Sequence, residues 1–425
     1  MANIFRKVDA VKIILITALV IGIVMRISAW NDGEGNNILS VSRDSAMYNA
    51  IAKNIIAGKG YVGKDHMIAR NGQPTAFYGP TYPLYLVFIY SIFGQSLKAV
   101  QISHLILELI TGLLIYILGL RLFGRLQGAI AAFIYATSPE IIHYGFRIMT
   151  EIVYIFLEIL VLLLIVGLLQ REKPTLRTLA LAGIVFGIAY LCRQTIFLLP
   201  IVFIPIMWLK YMKNGYIWML KSVAVFLICA GVVLAPWVVR NYITFGEVII
   251  GTTTGPATLW WGMLEDKGTP LSILEKRYRD EHPKMNEVQM AHQMSKEAKY
   301  ALLRMTKDEI IGKVINRPRR LFGYPKKIID PKALKQTATG IAYSLLGVLG
   351  MAGLFIGSRG RYDRLVIPVF TLSVVGLHLL THATFRYLMP EVPLLALGLG
   401  NFIVYIATAA KRRTKQLRGS YLTAS

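Results

Sequence analysis

The chain has 425 residues, of which 55% are hydrophobic and only 16% charged, a balance too apolar for a soluble enzyme of this length. Its formal net charge of +24 falls largely in short connections between apolar segments, where the positive-inside rule accounts for it without a nucleic-acid partner. Cys192 and Cys229 both lie in apolar segments, so neither a disulfide framework nor a Cys-rich metal site is expected.

In chain order, Arg6, Lys7 and Lys12 precede an apolar run over 13–29, long enough with its flanks to span a bilayer at about 1.5 Å per residue. A cleaved signal peptide competes with this reading because the uninterrupted core is short; the many spans that follow favour a retained anchor. The stretch 30–96 is the first long loop. Within it, Ser42-Arg-Asp-Ser-Ala-Met-Tyr48 opens a helical pattern carried by Ala46, Tyr48, Ile51, Ala52, Ile55 and Ile56, which Gly58 and Gly60 end. Asp44 therefore stands at or near a helix N-terminus, where a carboxylate serves as a cap, as a chemical group, or as both. The piece 84–93 is too short to span and reads as an interfacial helix.

Further spans are expected over 97–120, 128–144, 148–169, 179–191, 196–209, 218–239, 340–356, 365–380 and 388–409. The basic connections Arg121/Arg125, Arg171/Lys173/Arg177, Lys210/Lys213/Lys221 and Arg359/Arg361/Arg364, and the tail from Lys411, then share the cytoplasmic side with the N-terminus. The expectation is an all-α integral membrane protein of about ten transmembrane helices with both termini cytoplasmic. It divides into a membrane region 1–239 that carries the outer loop 30–96, an extracytoplasmic helical loop 240–337, and C-terminal spans with a basic tail over 338–425. In the second loop, Ala298, Ala301, Leu302, Met305, Ile310, Ile311, Val314 and Ile315 give 285–321 a helical period. That segment is either a small extramembrane cap or an amphipathic lid on anionic headgroups or phosphates.

A charge at the bilayer centre costs at least about 2.5 to 3.5 kcal/mol, so ionisable residues at membrane depth must face a partner or water. Arg193 interrupts the apolar hairpin near its outer turn and either snorkels to the headgroups or faces a cavity. Glu151 opens a span at the outer face, answering the helix dipole or serving a site. Glu108 and Glu158 lie deeper, where pairing with a buried donor is expected. His378 and His382, at i and i+4, share a helix face, but without the glutamate of His-Glu-x-x-His they are weak metal candidates.

The order of several short motifs along these spans carries a resemblance. Asp44 with Tyr48, Gly58-Lys-Gly-Tyr61, Pro80-Thr-Tyr-Pro83, Phe93-Gly94, Thr150-Glu151, Pro236-Trp237-Val-Val-Arg240-Asn241-Tyr242 and Arg386-Tyr387-Leu-Met-Pro390 together resemble the GT-C glycosyltransferases. The branch they are most similar to holds the protein O-mannosyltransferases and the lipid A aminoarabinose transferases. The resemblance covers most of the chain and is weakest after Tyr242. It implies a GT-C bundle that moves a sugar from a polyprenyl-phosphate carrier to a hydroxyl of a lipid, glycan or protein, on the outer face of the cytoplasmic (inner) membrane. Asp44 falls on the family's acidic position in the first loop, as base or acceptor-positioning group, and Glu151 on its second acidic position. Two departures stand out: Asp44-Ser45 replaces the usual Asp-Glu, and Tyr78-Gly79-Pro80 replaces the lysine before Pro-Pro of the aminoarabinose enzymes.

A glycosyl phosphate already carries its leaving group, so transfer with inversion needs one base and cations for the departing phosphate. Arg240, Arg386 and Arg193 are the phosphate candidates, because guanidinium binds phosphate oxygens bidentately. Arg240 leads them, with interfacial anchoring beside Trp237 as its alternative. Tyr48, Tyr61 and Tyr82 are candidates for positioning substrate. No cofactor is required outright, and a divalent metal stays open. Two other classes also stay open: a lipid-linked glycan flippase or transporter, disfavoured by the absence of clear inverted repeats, and a non-catalytic subunit of an envelope assembly complex, which predicts tolerance of Asp44→Asn.

Overall fold

Apolar periodicity is realised as helix throughout the computed structural model, which describes residues 9–33, 42–264, 271–325 and 331–423. Among these residues the extended pairings are two isolated bridges, Val62 with Pro74 and His66 with Ala69. The basic residues Arg6 and Lys7 lie outside the described residues. Helix α1 (Ala10–Asn31) begins where the Asp9 side chain accepts from the Val11 amide at 3.1 Å. Helices α2 (Arg43–Ile56) and α3 (Thr81–Phe93) follow in the first long loop. Then come α4 (Leu97–Leu122), α5 (Arg125–Ala136), α6 (Pro139–Gly145), α7 (Glu151–Leu169), α8 (Leu176–Cys192), α9 (Leu198–Tyr211) and α10 (Tyr216–Phe245).

Eight described helical stretches are long and apolar enough to cross a membrane, against ten expected. The difference has local causes. The expected span over 128–144 is two helices, because Ser138 takes an extended cap conformation and Pro139 opens a new helix. Helix α8 stops at 17 residues where Arg193 turns extended, φ −152°. At the centre of the bundle, 72% of the apolar window of α7 is buried, against 17% for α1, which exposes Ile13, Ile16, Val20 and Val24. The closest helix pairing joins α15 (Pro331–Ser358) to α17 (Val392–Thr423), where a Cβ added at Gly398 would collide with the Gly350 carbonyl.

The bundle has two unlike poles. At one, the Tyr211 hydroxyl lies between the Leu168 and Arg171 carbonyls, at 2.8 and 2.7 Å, with its one proton to donate, and Gln170 donates to the Arg121 carbonyl at 3.0 Å and to Asp363 at 3.2 Å. This pole gathers the basic connections. At the other pole the two long loops fold against each other. Helices α11 (Thr254–Leu264), α12 (Leu271–Glu281), α13 (Glu287–Leu303) and α14 (Lys307–Leu321) form a cap over α2. The periodic stretch 285–321 is thus two helices, each opened by a capping box, at Asn286 and Thr306.

Met47, Ile51, Met67 and Phe77 of the first loop share one core with Trp260, Met263, Tyr278, Met290 and Met294 of the second. Glu287 pins this joint. Its carboxyl accepts from the Thr75 and Thr253 hydroxyls at 2.6 and 2.7 Å and from the Ala76 amide at 2.8 Å. Burial pushes its pKa up, opposed by those three donors. Arg317 reaches back from α14 to the Leu379 and Leu380 carbonyls, at 2.9 and 2.7 Å, and so caps the end of α16 (Tyr362–Leu380).

Candidate active site

Three helix ends and a 3₁₀ turn converge under this cap. Ser42 caps α2 by accepting from the Ser45 amide at 3.3 Å, which places Asp44 in the first turn. Glu151 is the first residue of α7, Arg193 ends α8, and Arg386 lies in the 3₁₀ turn Phe385–Glu391 that leads into α17. Gly79 lets the first loop lie against the end of α8, since a Cβ there would collide with the Leu191 carbonyl.

Arg386 joins the two acids, pairing through Nη1 with Asp44 Oδ2 and through Nε with Glu151 Oε1. Arg193 Nη1 lies 3.4 Å from the same Glu151 oxygen. On its other side, Asp44 Oδ1 is 2.6 Å from His66 Nε2, which is also 3.0 Å from the Tyr78 hydroxyl. The Tyr78 ring stacks on Tyr48 at 4.3 Å. Arg193 lies 4.9 Å over the Tyr387 ring, and His378 stacks on the same ring at 4.6 Å.

Burial alone would raise the pKa of Asp44, but the Arg386 guanidinium and the His66 bond hold its carboxyl well below the usual carboxylate range. Burial raises Tyr48 and Tyr78, so both phenols stay protonated. The site therefore presents a fixed anion, arginines and neutral hydroxyls. They line a cavity of about 310 Å³ together with Tyr190, Gln194, Thr254, Thr258 and Trp261.

Asp44, Glu151, Arg193, Arg386 and Tyr48 are brought together, with His378 on the cavity wall. Three sequence candidates stand elsewhere. Arg240 donates to the Thr75 and Tyr61 carbonyls at 2.7 and 3.0 Å and packs on Trp237 at 5.2 Å, tying α10 to the first loop. The Tyr61 hydroxyl donates to the Tyr78 carbonyl at 2.9 Å, and the Tyr82 hydroxyl lies 3.3 Å from His104 Nε2 in the core. His382 packs beside Trp261 and Tyr387. No group of three His, Cys, Asp or Glu side chains among the described residues is arranged to hold a metal ion.

Sequence reasoning missed His66, Tyr78 and Trp261. His66 owes its place to a tight reversal in which His66 and Ala69 exchange amide bonds at 3.1 and 2.8 Å around Met67, whose φ is +51°. A positive φ at a residue other than glycine stores strain, and no periodicity announces it.

The fold as a whole matches a solved archaeal structure. The apo oligosaccharyltransferase of Archaeoglobus fulgidus aligns with TM-score 0.56 over 97% of this chain at 14% identity. The chain has the GT-C fold. It spans about half, 52%, of the length of that archaeal protein. The oligosaccharyltransferase AglB from Archaeoglobus fulgidus, in complex with an inhibitory peptide and a dolichol-phosphate, aligns equally, with TM-score 0.56 and 15% identity, over 96% of this chain and 52% of the other. ArnT from Cupriavidus metallidurans bound to undecaprenyl phosphate aligns more loosely, with TM-score 0.42 and 14% identity over 94% of this chain and 79% of the other. In sequence, residues 77–238, less than half of the chain, match the dolichyl-phosphate-mannose-protein mannosyltransferase family model. That stretch contains Glu151 and Arg193 but neither Asp44 nor Arg386. No curated protein sequence matches the chain significantly.

Proposed function

We propose that this chain is a membrane glycosyltransferase that moves a sugar from a polyprenyl-phosphate carrier to an acceptor hydroxyl. The observation that carries the reading is Arg386, held between Asp44 and Glu151 with Arg193 beside it, at the polar end of an apolar bundle and on a cavity. Two of these residues stand at the ends of membrane-length stretches: Glu151 opens one, and Arg386 lies at the start of another. The dolichol-phosphate held by the archaeal relative and the dolichyl-phosphate mannose named for the matching family support the carrier class.

In this mechanism the acceptor hydroxyl hydrogen-bonds to Asp44 and attacks the anomeric carbon from the face opposite the phosphate. The new C–O bond forms as the bond to the phosphate oxygen breaks, so the anomeric configuration inverts. Arg193 and Arg386 stabilise the charge that returns to the phosphate. Because Asp44 is a weak base, the proton moves late, once the attacking oxygen has bonded to carbon and become acidic.

The site pole is assigned to the extracytoplasmic face of the cytoplasmic membrane, because the short basic connections gather at the opposite pole. Single cysteines at positions 64 and 173 then label from opposite sides; labelling from the same side defeats the orientation.

Asp44→Asn tests the chemistry. Asparagine keeps the shape and still accepts a bond, but it takes no proton, so transfer falls about 10²- to 10⁴-fold in protein that remains folded and binds carrier. Near-normal turnover removes Asp44 from the chemistry. A dead Glu151→Gln beside an active Asp44→Asn moves the base to α7.

A further inference from the structure

The cavity is lined by two kinds of surface. One is charged, with Asp44, Arg193 and Arg386. The other is made of rings and hydroxyls, and α11 supplies much of it. Thr254, Thr258 and Trp261, at i, i+4 and i+7, form one stripe of that helix facing the cavity, while Ala257, Trp260 and Met263 pack into the cap.

Adjacent tryptophans show the difference. Trp260 donates its ring N–H to Glu297 at 2.8 Å. The ring N–H of Trp261 is buried and has no hydrogen-bond partner among the described residues, although buried indoles usually find one. His378 lines the same cavity, and its Nδ1 is likewise buried and unpartnered among the described residues. From Trp261 the rings continue through His382, centroids 5.8 Å away, to Tyr387, on which His378 stacks and over which Arg193 lies at 4.9 Å. The ring wall thus ends at the arginine assigned above to phosphate.

We propose that this wall, with Trp261 as its platform and hydrogen-bond donor and His378 as a second polar contact, recognises a single uncharged sugar ring on the carrier. The inference rests on the glycosyltransferase reading and deepens it. Three features select the ligand. An indole face packs the C–H face of a sugar, and its N–H needs an acceptor, which a sugar hydroxyl provides. A hydroxyl both donates and accepts, so it satisfies His378 Nδ1 in either tautomer. Arg193 and Arg386 line the cavity beside Asp44, the one carboxylate in the described lining, so a sugar ammonium would meet two cations and a carboxylate already paired with one of them. A volume of about 310 Å³ stands at the lower end of ligand pockets, about 300 to 1,000 Å³. It suits one ring with its phosphate and not an oligosaccharide.

The test is direct binding to the purified full chain in detergent, with bare dolichyl phosphate, dolichyl phosphate carrying mannose, glucose or galactose, and dolichyl phosphate carrying a hexosamine. The unaltered protein is expected to bind at least one hexose-loaded carrier more tightly than the bare one. Trp261→Ala should weaken that loaded carrier at least about tenfold, equivalent to about 1.4 kcal/mol, while bare carrier stays within about twofold. Trp261→Phe, which keeps a ring and loses the N–H, should fall between. Equal weakening of bare and loaded carrier, or no weakening, overturns the assignment of Trp261. Hexosamine binding as tight as hexose binding overturns the uncharged class, as does a preference for none of the three hexoses. Failure of the unaltered protein to bind even bare carrier instead defeats the glycosyltransferase reading, and this inference falls with it.

Discussion

Two arginine–carboxylate clusters are buried in the bundle, and they are built differently. Between α1 and α4, Arg26 is satisfied on all three nitrogens. Nε bonds Glu108 at 2.7 Å, Nη2 pairs with the same oxygen, and Nη1 donates to the Gly22 and Ala136 carbonyls at 2.9 and 2.8 Å. It borders a cavity of about 250 Å³ whose other walls are mostly apolar, among them Ile23, Ile27 and Leu105. At the cavity, Arg386 is shared by two acids from different elements, Arg193 stands at a looser 3.4 Å, and Glu151 Oε2 has no partner among the described residues. The first cluster is closed on itself and holds helices together. In the second, Arg193 and Arg386 line the cavity, and on the proposed reading they exchange their present partners there for a phosphate or hydroxyl.

The comparison predicts opposite signatures for the two arginines. Arg386→Ala should lower turnover about 10²- to 10³-fold, the usual loss when one donor to a developing negative charge is removed. Arg26→Ala should leave turnover per folded molecule unchanged and cost about 3 to 5 kcal/mol of stability, because Glu108 is left charged or protonated without a partner. Replacing both members, Arg26→Met with Glu108→Leu, should recover most of that stability. Turnover normalised to folded protein, beside thermal unfolding in detergent, separates the cases. A catalytic defect in Arg26→Ala, or full activity in Arg386→Ala, erases the distinction.

Much of this contrast is legible in the sequence. Glu108 lies about ten residues inside a span, a depth that demands a buried donor. Glu151, Arg193 and Arg386 sit at span ends, where the polar pole must be. Asp44 is marked by a serine two residues before it and by an apolar helical period after it. What the sequence hides is set by tertiary contacts. His66 reaches Asp44 through a reversal at Met67 that depends on Arg279, whose guanidinium donates to the Met67 carbonyl from the second loop. Trp260 and Trp261 are neighbours with opposite fates, decided by which face of α11 meets the cap. The break at Ser138-Pro139 was readable as a helix start, but its apolar flanks read as one span.

A smaller effect concerns pH. Because the folded pKa of Asp44 is lowered, the stability contributed by its ion pair is fully present above its unfolded value, about 3.9. It is lost only as the pH falls through the lower folded value. The stability gap between the unaltered protein and Asp44→Asn should therefore stay flat from about pH 8 down to about pH 4. A gap that widens as the pH falls between about 6 and 4 means that the folded carboxyl is raised, and the open cluster is not held ionised by Arg386.

The smallest effect is expected at Arg240, where sequence motif and structure part. Its position after Pro236-Trp237 suggests a phosphate ligand, yet its guanidinium is occupied by the Tyr61 and Thr75 carbonyls and by Asn241 Oδ1, at 3.0, 2.7 and 2.9 Å. Trp237, Tyr61 and Phe245 surround it within 5.6 Å. Arg240 is thus a third case, a cation closed by backbone carbonyls rather than by a carboxylate. Lysine retains the charge and reaches part of this carbonyl set, so Arg240→Lys should lose on the order of 1 kcal/mol of stability, about one hydrogen bond to a charged group. It should leave the apparent affinity for the carrier within about twofold. Arg193→Lys is the matched control: a point charge replaces a fork beside the cavity, and carrier affinity should fall severalfold with little change in stability. Carrier affinity that falls more in Arg240→Lys than in Arg193→Lys would return the phosphate to the end of α10 and reverse the assignment of the two arginines.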